Sequence, residues 1–187
     1  MPSKREQIVA VALRLYREGG VAGTTLKDVA AAAGLPVGNL YYYFRTRDDL
    51  VRAALQACEG ELSDLLARLS PLPPRAWFGA YFDWLLADPA GAARFGCPFG
   101  TLAGELRALG DPAAAQAAQT VALYLGAVRE RTVALGRPLS DADDLFLAVQ
   151  GAYTVARALN DPGFFRQGVE RLRAAAPQLR SQGDLAP

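Results

Sequence analysis

The stretch that decides the fold is GTTLKDVAAAAGLPVGNLYYYFRTRDDL, residues 23–50. It holds two short helical segments joined by a glycine-containing turn at residues 33–35, and an apolar helix over about residues 3–18 precedes them. Thr25 is placed to cap the second helix, with Asp28 three residues later, as in a capping box. Two short helices joined in this way and packed on a preceding helix predict a helix-turn-helix.

The segment Val37–Phe44 has two chemically different faces when it is drawn as a helix. Leu40 and Phe44 share one face, so we expect them to pack on the first two helices. The opposite side and its flanks carry small, polar, aromatic and basic side chains that suit the bases and phosphates of a DNA major groove. At the start of the second helix, the Thr25 hydroxyl and the helix end suit a phosphate. Asn39 is expected to contact a base edge, while Val37 lies toward the packed side. The predicted DNA contacts outside the next helix are Thr25, Val37, Gly38, Asn39, Tyr41, Tyr42 and Arg45.

Residues 5–55 resemble the DNA-binding signature of the TetR family of transcriptional regulators. That family typically has Thr before the second helix, Ala and Gly at the turn, a Leu-Tyr-x-x-Phe segment, and a basic residue before an acidic pair. The matching residues at the same spacing are Thr25, Val29, Ala30, Gly34, Leu40, Tyr41, Phe44, Arg47 and Leu50. The resemblance implies a homodimeric regulator of transcription in which Arg47 binds a further phosphate. Pro36-Val37 departs from the polar residues that often open the recognition helix, so the operator sequence does not follow from it.

The rest of the chain is a series of helix starts and stops. A long helix begins near Arg47 and ends in the stretch 70–74, and a further helix opens near Ser140. Prolines are expected at the first position of four helices, at Pro74, Pro98, Pro112 and Pro162. We therefore predict an all-α fold of about nine helices. Residues 1–47 would form the helix-turn-helix domain, and residues 48–180 an all-helical ligand-binding and dimerisation domain.

Charge and composition favour a DNA-binding protein over an enzyme. Residues 1–52 hold eight Lys or Arg and five Asp or Glu. The remainder of the chain holds twelve Lys or Arg and fourteen Asp or Glu. A basic N-terminal part suits a phosphate partner. The chain has no histidine, and we find no paired carboxylates, nucleophile–base set or phosphate loop, so we predict no catalytic, metal or cofactor site. With no signal-peptide pattern and no membrane-length apolar run, we expect a soluble, cytoplasmic protein.

The helix over about residues 140–160 is apolar nearly all round and therefore needs two partners. Its only polar stripe is Asp143, Gln150, Thr154 and Arg157. One apolar face can meet its own domain, and the other implies a second copy of the chain. The resemblance adds that the last two helices form a four-helix bundle with those of the partner. A twofold protein in turn implies a palindromic DNA operator.

Aromatic side chains concentrate in the middle of the chain. A pocket lined by them would bind a flat, mainly apolar small-molecule effector, although ordinary core packing is the alternative interpretation. The predicted ligand-binding residues are Trp77, Tyr81, Trp84, Phe95, Cys97, Phe99 and Tyr124.

The segment FGCPFGTLAGEL, residues 95–106, resembles a subgroup of the TetR family with Gly-Cys-Pro or Gly-Cys-Leu opening the sixth helix. Some members of that subgroup respond to electrophiles or oxidants through this cysteine, and others bind planar aromatics. At a helix N-terminus, the thiolate of Cys97 would be stabilised by the helix dipole. A thiol sensor is therefore an alternative to a ligand-released repressor. A helical interaction module without DNA binding and a small helical enzyme are the others.

Overall fold

The computed structural model describes residues 2–175, and within that range the regular structure is entirely α-helical, as predicted. The described helices are α1 (Lys4–Gly19), α2 (Leu26–Ala32), α3 (Val37–Tyr43), α4 (Arg47–Leu69), α5 (Pro74–Leu86), α6 (Pro89–Phe95), α7 (Thr101–Ala108), α8 (Ala114–Ala134), α9 (Leu139–Leu159) and α10 (Pro162–Ala175). No helix among these residues is long and apolar enough to cross a membrane.

The helix absent from the sequence prediction is α6. It begins at an Asp-Pro step, and the Asp88 side chain caps it by accepting a hydrogen bond of 2.8 Å from the Gly91 backbone N–H. The predictions for Pro74 and Pro162 are confirmed, since each is the first residue of its helix. Those for Pro98 and Pro112 are wrong, because both lie in turns before α7 and α8 begin. In each turn, polar groups make hydrogen bonds to other parts of the chain. The preference of proline for the first position of a helix does not account for these bonds.

Two capping boxes and a left-handed glycine set the course of the first three helices. Ser3 caps α1 together with Glu6, and Thr25 caps α2 together with Asp28, as predicted. After α2 the chain turns at Gly34, whose φ of +64° is a conformation that glycine adopts without strain. The Leu35 N–H donates to the Ala30 carbonyl across 2.9 Å, which satisfies one of the last acceptors of α2. The chain is thereby turned sharply into α3.

The chain divides into two compact units. The first unit comprises residues up to Leu65 together with Pro98–Tyr124, and its most deeply buried side chains include Ile8, Leu40, Phe44, Leu62 and Leu106. The second unit comprises Leu66–Cys97 and the chain from Leu125, with a core that includes Trp77, Tyr81, Phe82, Val149 and Phe165.

The first unit extends beyond the predicted helix-turn-helix domain, because α7 and part of α8 pack with it. The boundary between residues 47 and 48 is the predicted division between a DNA-binding and a ligand-binding domain, and it remains a prediction. The predicted end of the second domain, residue 180, lies outside the described residues.

Candidate nucleic-acid interface

Helix α3 is anchored by one face and bare on the other. Leu40 is fully buried and Phe44, which follows the last turn, is only 2% exposed, so the predicted packed face is confirmed. On the opposite side Tyr42 is 85% exposed and Tyr41 49%. Gly38, Asn39 and Arg45 are exposed as well, whereas Val37 is half-buried, as its place on the helix predicts. The structure thus brings six of the predicted DNA-contacting residues together on or beside one short helix.

The exposed ring of Tyr42 contacts the ring of its neighbour. The rings of Tyr42 and Tyr43 meet edge to face, with centroids 5.2 Å apart and planes at 89°. This arrangement is favoured by the ring quadrupoles. Tyr43 is half-buried and supports the pair from the protein side.

Thr25 is committed to the cap of α2. Its Oγ1 accepts a bond from the Asp28 N–H at 3.2 Å and donates to Asp28 Oδ2 at 2.6 Å. This side-chain bond, followed by the bond from the Thr25 N–H, lowers the pKa of the Asp28 carboxyl group. The hydroxyl proton therefore points at a carboxylate. The phosphate contact of Thr25 remains a prediction, and it requires the hydroxyl to leave Asp28 or the phosphate to use other donors.

Arg47 makes contacts inside the first unit that the sequence did not indicate. Its guanidinium donates to the Val21 carbonyl at 3.3 Å and to Asp111 Oδ2 at 3.4 Å. These bonds tie the start of α4 to the loop between α1 and α2 and to the residues before α8. The predicted phosphate contact of Arg47 remains a prediction, and a phosphate would compete with Asp111 for the same guanidinium.

Glu105 of α7 holds the same loop from another side. Its Oε1 accepts a hydrogen bond of 3.0 Å from the backbone N–H of Ala22. Gly20, which follows α1 and has a φ of +79°, lies so close that a Cβ atom there would be 2.7 Å from that oxygen. Glycine is favoured at this position by its backbone conformation, and a Cβ atom there would make the Glu105 carboxylate shift.

Arg17 forms a third link between the DNA-binding helices and the rest of the first unit. One guanidinium nitrogen lies 2.7 Å from Glu61 Oε2 on α4 and 3.0 Å from the carbonyl oxygen of Pro98. The Cys58 thiol donates to that same carbonyl at 3.3 Å. The turn containing Pro98 is thus bonded to both α1 and α4.

The predicted ligand-binding residues fall in both units. In the second unit Trp77 and Tyr81 are each 1% exposed and stack at 5.2 Å, and Trp84 stacks on Tyr81 at 6.2 Å. Phe95 is half-buried beneath the guanidinium of Arg94. In the first unit Phe99 and Tyr124 are buried, with ring centroids 5.6 Å apart.

Sequence reasoning missed Tyr153 of α9. It is buried in the second unit, with its ring 4.5 Å from that of Phe165. Burial raises the pKa of its hydroxyl group well above the ordinary value, and the nearby Cys97 and Tyr81 add to the shift. The one signal in the sequence that could have pointed to Tyr153 is its place on the buried face of α9. Effector binding by these aromatic residues remains a prediction.

The prediction that Cys97 opens a helix is wrong. Cys97 follows Gly96, the C-cap residue of α6, and α7 begins four residues later at Thr101. The side chain is 5% exposed. Because the thiol is not at a helix N-terminus, the dipole argument for a stabilised thiolate no longer applies.

These features define a helix-turn-helix protein. A first helix is followed by two short ones, the third helix is bare on one side, and a long helix and further helices follow. Comparison with known proteins agrees. The family described as "Bacterial regulatory proteins, tetR family" matches residues 8–54. The HTH-type transcriptional regulator TtgR of Pseudomonas putida is 42% identical over 66 residues, which are 35% of this chain and 31% of TtgR.

Solved structures match nearly the whole chain. A TetR transcriptional regulator from Legionella pneumophila superposes with a TM-score of 0.80 at 22% identity, covering 94% of this chain and 98% of that one. A TetR transcriptional regulator from Chloroflexus aurantiacus reaches a TM-score of 0.76 at 25% identity, covering 94% of both chains. Residues 8–54 thus carry the N-terminal region of the TetR family of bacterial regulatory proteins. The sequence match spans about a third of the length of the curated relatives.

Proposed function

We propose that this chain is a homodimeric transcriptional repressor that binds a palindromic DNA operator and is released from it by a small, mainly apolar or aromatic effector. The observation that carries the proposal is Tyr42, 85% exposed on a helix whose opposite face is buried. Exposing a large aromatic ring to water does not increase the stability of the folded chain. A short helix bare on its polar and aromatic side fits a major groove.

The polar links in the first unit support control of DNA binding from outside α3. Glu105 binds the loop between α1 and α2, and Asp111 binds the start of α4. The Pro98 carbonyl accepts a bond from Arg17 of α1. A displacement of residues 98–111 would therefore shift the supports of the DNA-binding helices. An effector acts in this way only if it binds the displaced state more tightly than the DNA-competent one.

The exposed surface of α9 supports a dimer. Leu147, Val155 and Leu159 are 67%, 39% and 61% exposed, although each is apolar. They lie on one side of the helix, together with the exposed small residues Ala148 and Gly151. A contiguous apolar face of this kind marks a protein interface. TetR family regulators act as dimers, and residues 8–54 match that family. We assign this face, with α10, to contact with a second copy.

The proposal is tested by selecting duplexes from a random pool and measuring affinity for the selected sequence and for a shuffled one. We expect the wild type to prefer the selected palindrome by about 10³-fold or more. Asn39→Ala should lower that preference by about 5- to 100-fold, because one base-edge contact is lost. Gln56→Ala, a change of similar size on the exposed side of α4, is the matched control and should leave it unchanged. If the wild type binds no duplex even at low salt, the regulator function is wrong and an interaction module becomes the better interpretation.

A further inference from the structure

Arg5, in the first turn of α1, lies over the ring of Phe44. Its guanidinium carbon is 4.9 Å from the ring centroid. Phe44 is buried and follows the last turn of α3, whereas the Arg5 side chain is exposed. A guanidinium lying on an aromatic face is held by the ring quadrupole and keeps its N–H groups available at its edge. The start of α1 thus places a fixed positive charge at the C-terminal end of α3.

The carboxylates around this end of α3 are already engaged. Glu6 binds the Ser3 N–H at 2.7 Å in the cap of α1, and Asp49 accepts a bond of 3.2 Å from the Thr46 N–H. Asp48 lies 3.8 Å from Arg47. By contrast, within residues 2–175 no ion pair involves Arg5 or the exposed Arg45. Two cations therefore flank the point where α3 ends.

The length of α3 places this end beside a phosphate backbone. Seven residues at 1.5 Å each make a helix of about 10 Å, and the major groove is about 12 Å wide. A helix inserted into the groove therefore brings its ends close to the phosphate walls. The C-terminal end of a helix carries partial negative charge, so a phosphate there needs a nearby cation.

We propose that Arg5 binds a DNA phosphate, so that the DNA-binding surface extends from α3 to the start of α1. This inference rests on the proposed function, because it assumes that α3 enters a groove. It adds a residue of α1 that lies outside the helix-turn-helix proper. The Phe44 ring acts as its platform, which makes Phe44 a positioning residue as well as part of the core.

The test is the salt dependence of binding to the selected palindrome, for the full chain and three variants. Each phosphate contact contributes about 0.9 to the slope of log affinity against log salt, so Arg5→Gln should reduce the slope of a dimer by about 1.8. At about 0.1 M salt we expect an affinity loss of about tenfold for Arg5→Gln, with unchanged preference for the palindrome over a shuffled duplex. Arg5→Lys keeps the charge and should keep the wild-type slope, although its ammonium cannot stack flat on the ring.

Arg14→Gln is the matched control, since Arg14 is an exposed arginine of the same helix that pairs with Glu18 at 3.3 Å. It should leave the slope at the wild-type value. Equal slopes for Arg5→Gln and Arg14→Gln, whether both unchanged or both reduced, overturn the role of Arg5. A wild type that binds no duplex at any salt concentration overturns the proposed function and this inference together. A normal wild-type affinity with an unaffected Arg5→Gln slope overturns only the inference.

Discussion

Replacing Arg17 by Met tests how firmly α1 is tied to the turn containing Pro98. The substitution keeps the length of the aliphatic stem but removes the bonds to the Pro98 carbonyl at 3.0 Å and to Glu61 at 2.7 Å. A hydrogen bond from a charged donor contributes about 1.5–3 kcal/mol. The pair with Glu61, whose side chain is 51% exposed, adds at most about 1 kcal/mol.

Two features reduce the net loss. The buried Nε of Arg17 has no hydrogen-bond partner, so removing it relieves a desolvation cost of about 1 kcal/mol. The Pro98 carbonyl also keeps its bond from the Cys58 thiol at 3.3 Å. We therefore expect Arg17→Met to lower the free energy of unfolding by about 1–2 kcal/mol.

Thermal unfolding followed by circular dichroism measures this loss as a fall in Tm of about 2–8 °C for a chain of this size. Glu61→Gln is the control, and it should cost less than about 1 kcal/mol because the carboxylate is half exposed. An Arg17→Met variant as stable as the wild type would refute the reasoning. It would mean that burying the guanidinium costs as much as its bonds contribute.

Two further predictions concern pH and assembly. Burial raises the pKa of Tyr16 to about 12, partly offset by the charge of Arg47, and the fold favours the neutral phenol. That contribution is complete below about pH 10 and is lost as the pH rises toward 12, by up to about 2–3 kcal/mol. Urea unfolding at about pH 9 and 11.5 should show a larger loss in the wild type than in Tyr16→Phe, in which the buried Tyr153 still contributes a loss of the same sign, and equal losses would contradict it. Leu147→Lys should raise the dissociation constant of the dimer at least about tenfold, because it buries unpaired charges across a twofold interface. Light scattering would detect this, with Val133→Lys on the exposed side of α8 as the control, and two equally dimeric variants would exclude α9 from the interface.

Local signals made the first three helices predictable from the sequence. The Thr25–Asp28 capping box, the glycine at the turn and the spacing of Leu40 and Phe44 each involve residues within four positions of one another. Such patterns depend on helix geometry alone, and the structure confirms them. The exposed side of α3 follows from the same geometry, because burying one face of a short helix leaves its opposite face outside.

The links that support the DNA-binding helices could not be predicted in this way. Arg17 meets Pro98 across 81 residues of sequence, and Glu105 meets Ala22 across 83. No periodicity or motif connects such positions, and an arginine on a helix surface ordinarily signals only solvent. The error at Pro98 has the same origin, because its carbonyl accepts bonds from Arg17 and Cys58 in a turn rather than starting a helix.

The edge-to-face contact between Tyr42 and Tyr43 has a consequence for binding entropy. A side chain that is immobilised only on association costs about 0.5–1.5 kcal/mol of binding free energy. Because the half-buried ring of Tyr43 already restricts the rotamers of Tyr42, part of this cost is met during folding. With Tyr42 in contact with DNA as proposed, we expect Tyr43 to affect the affinity through the preorganisation of its neighbour.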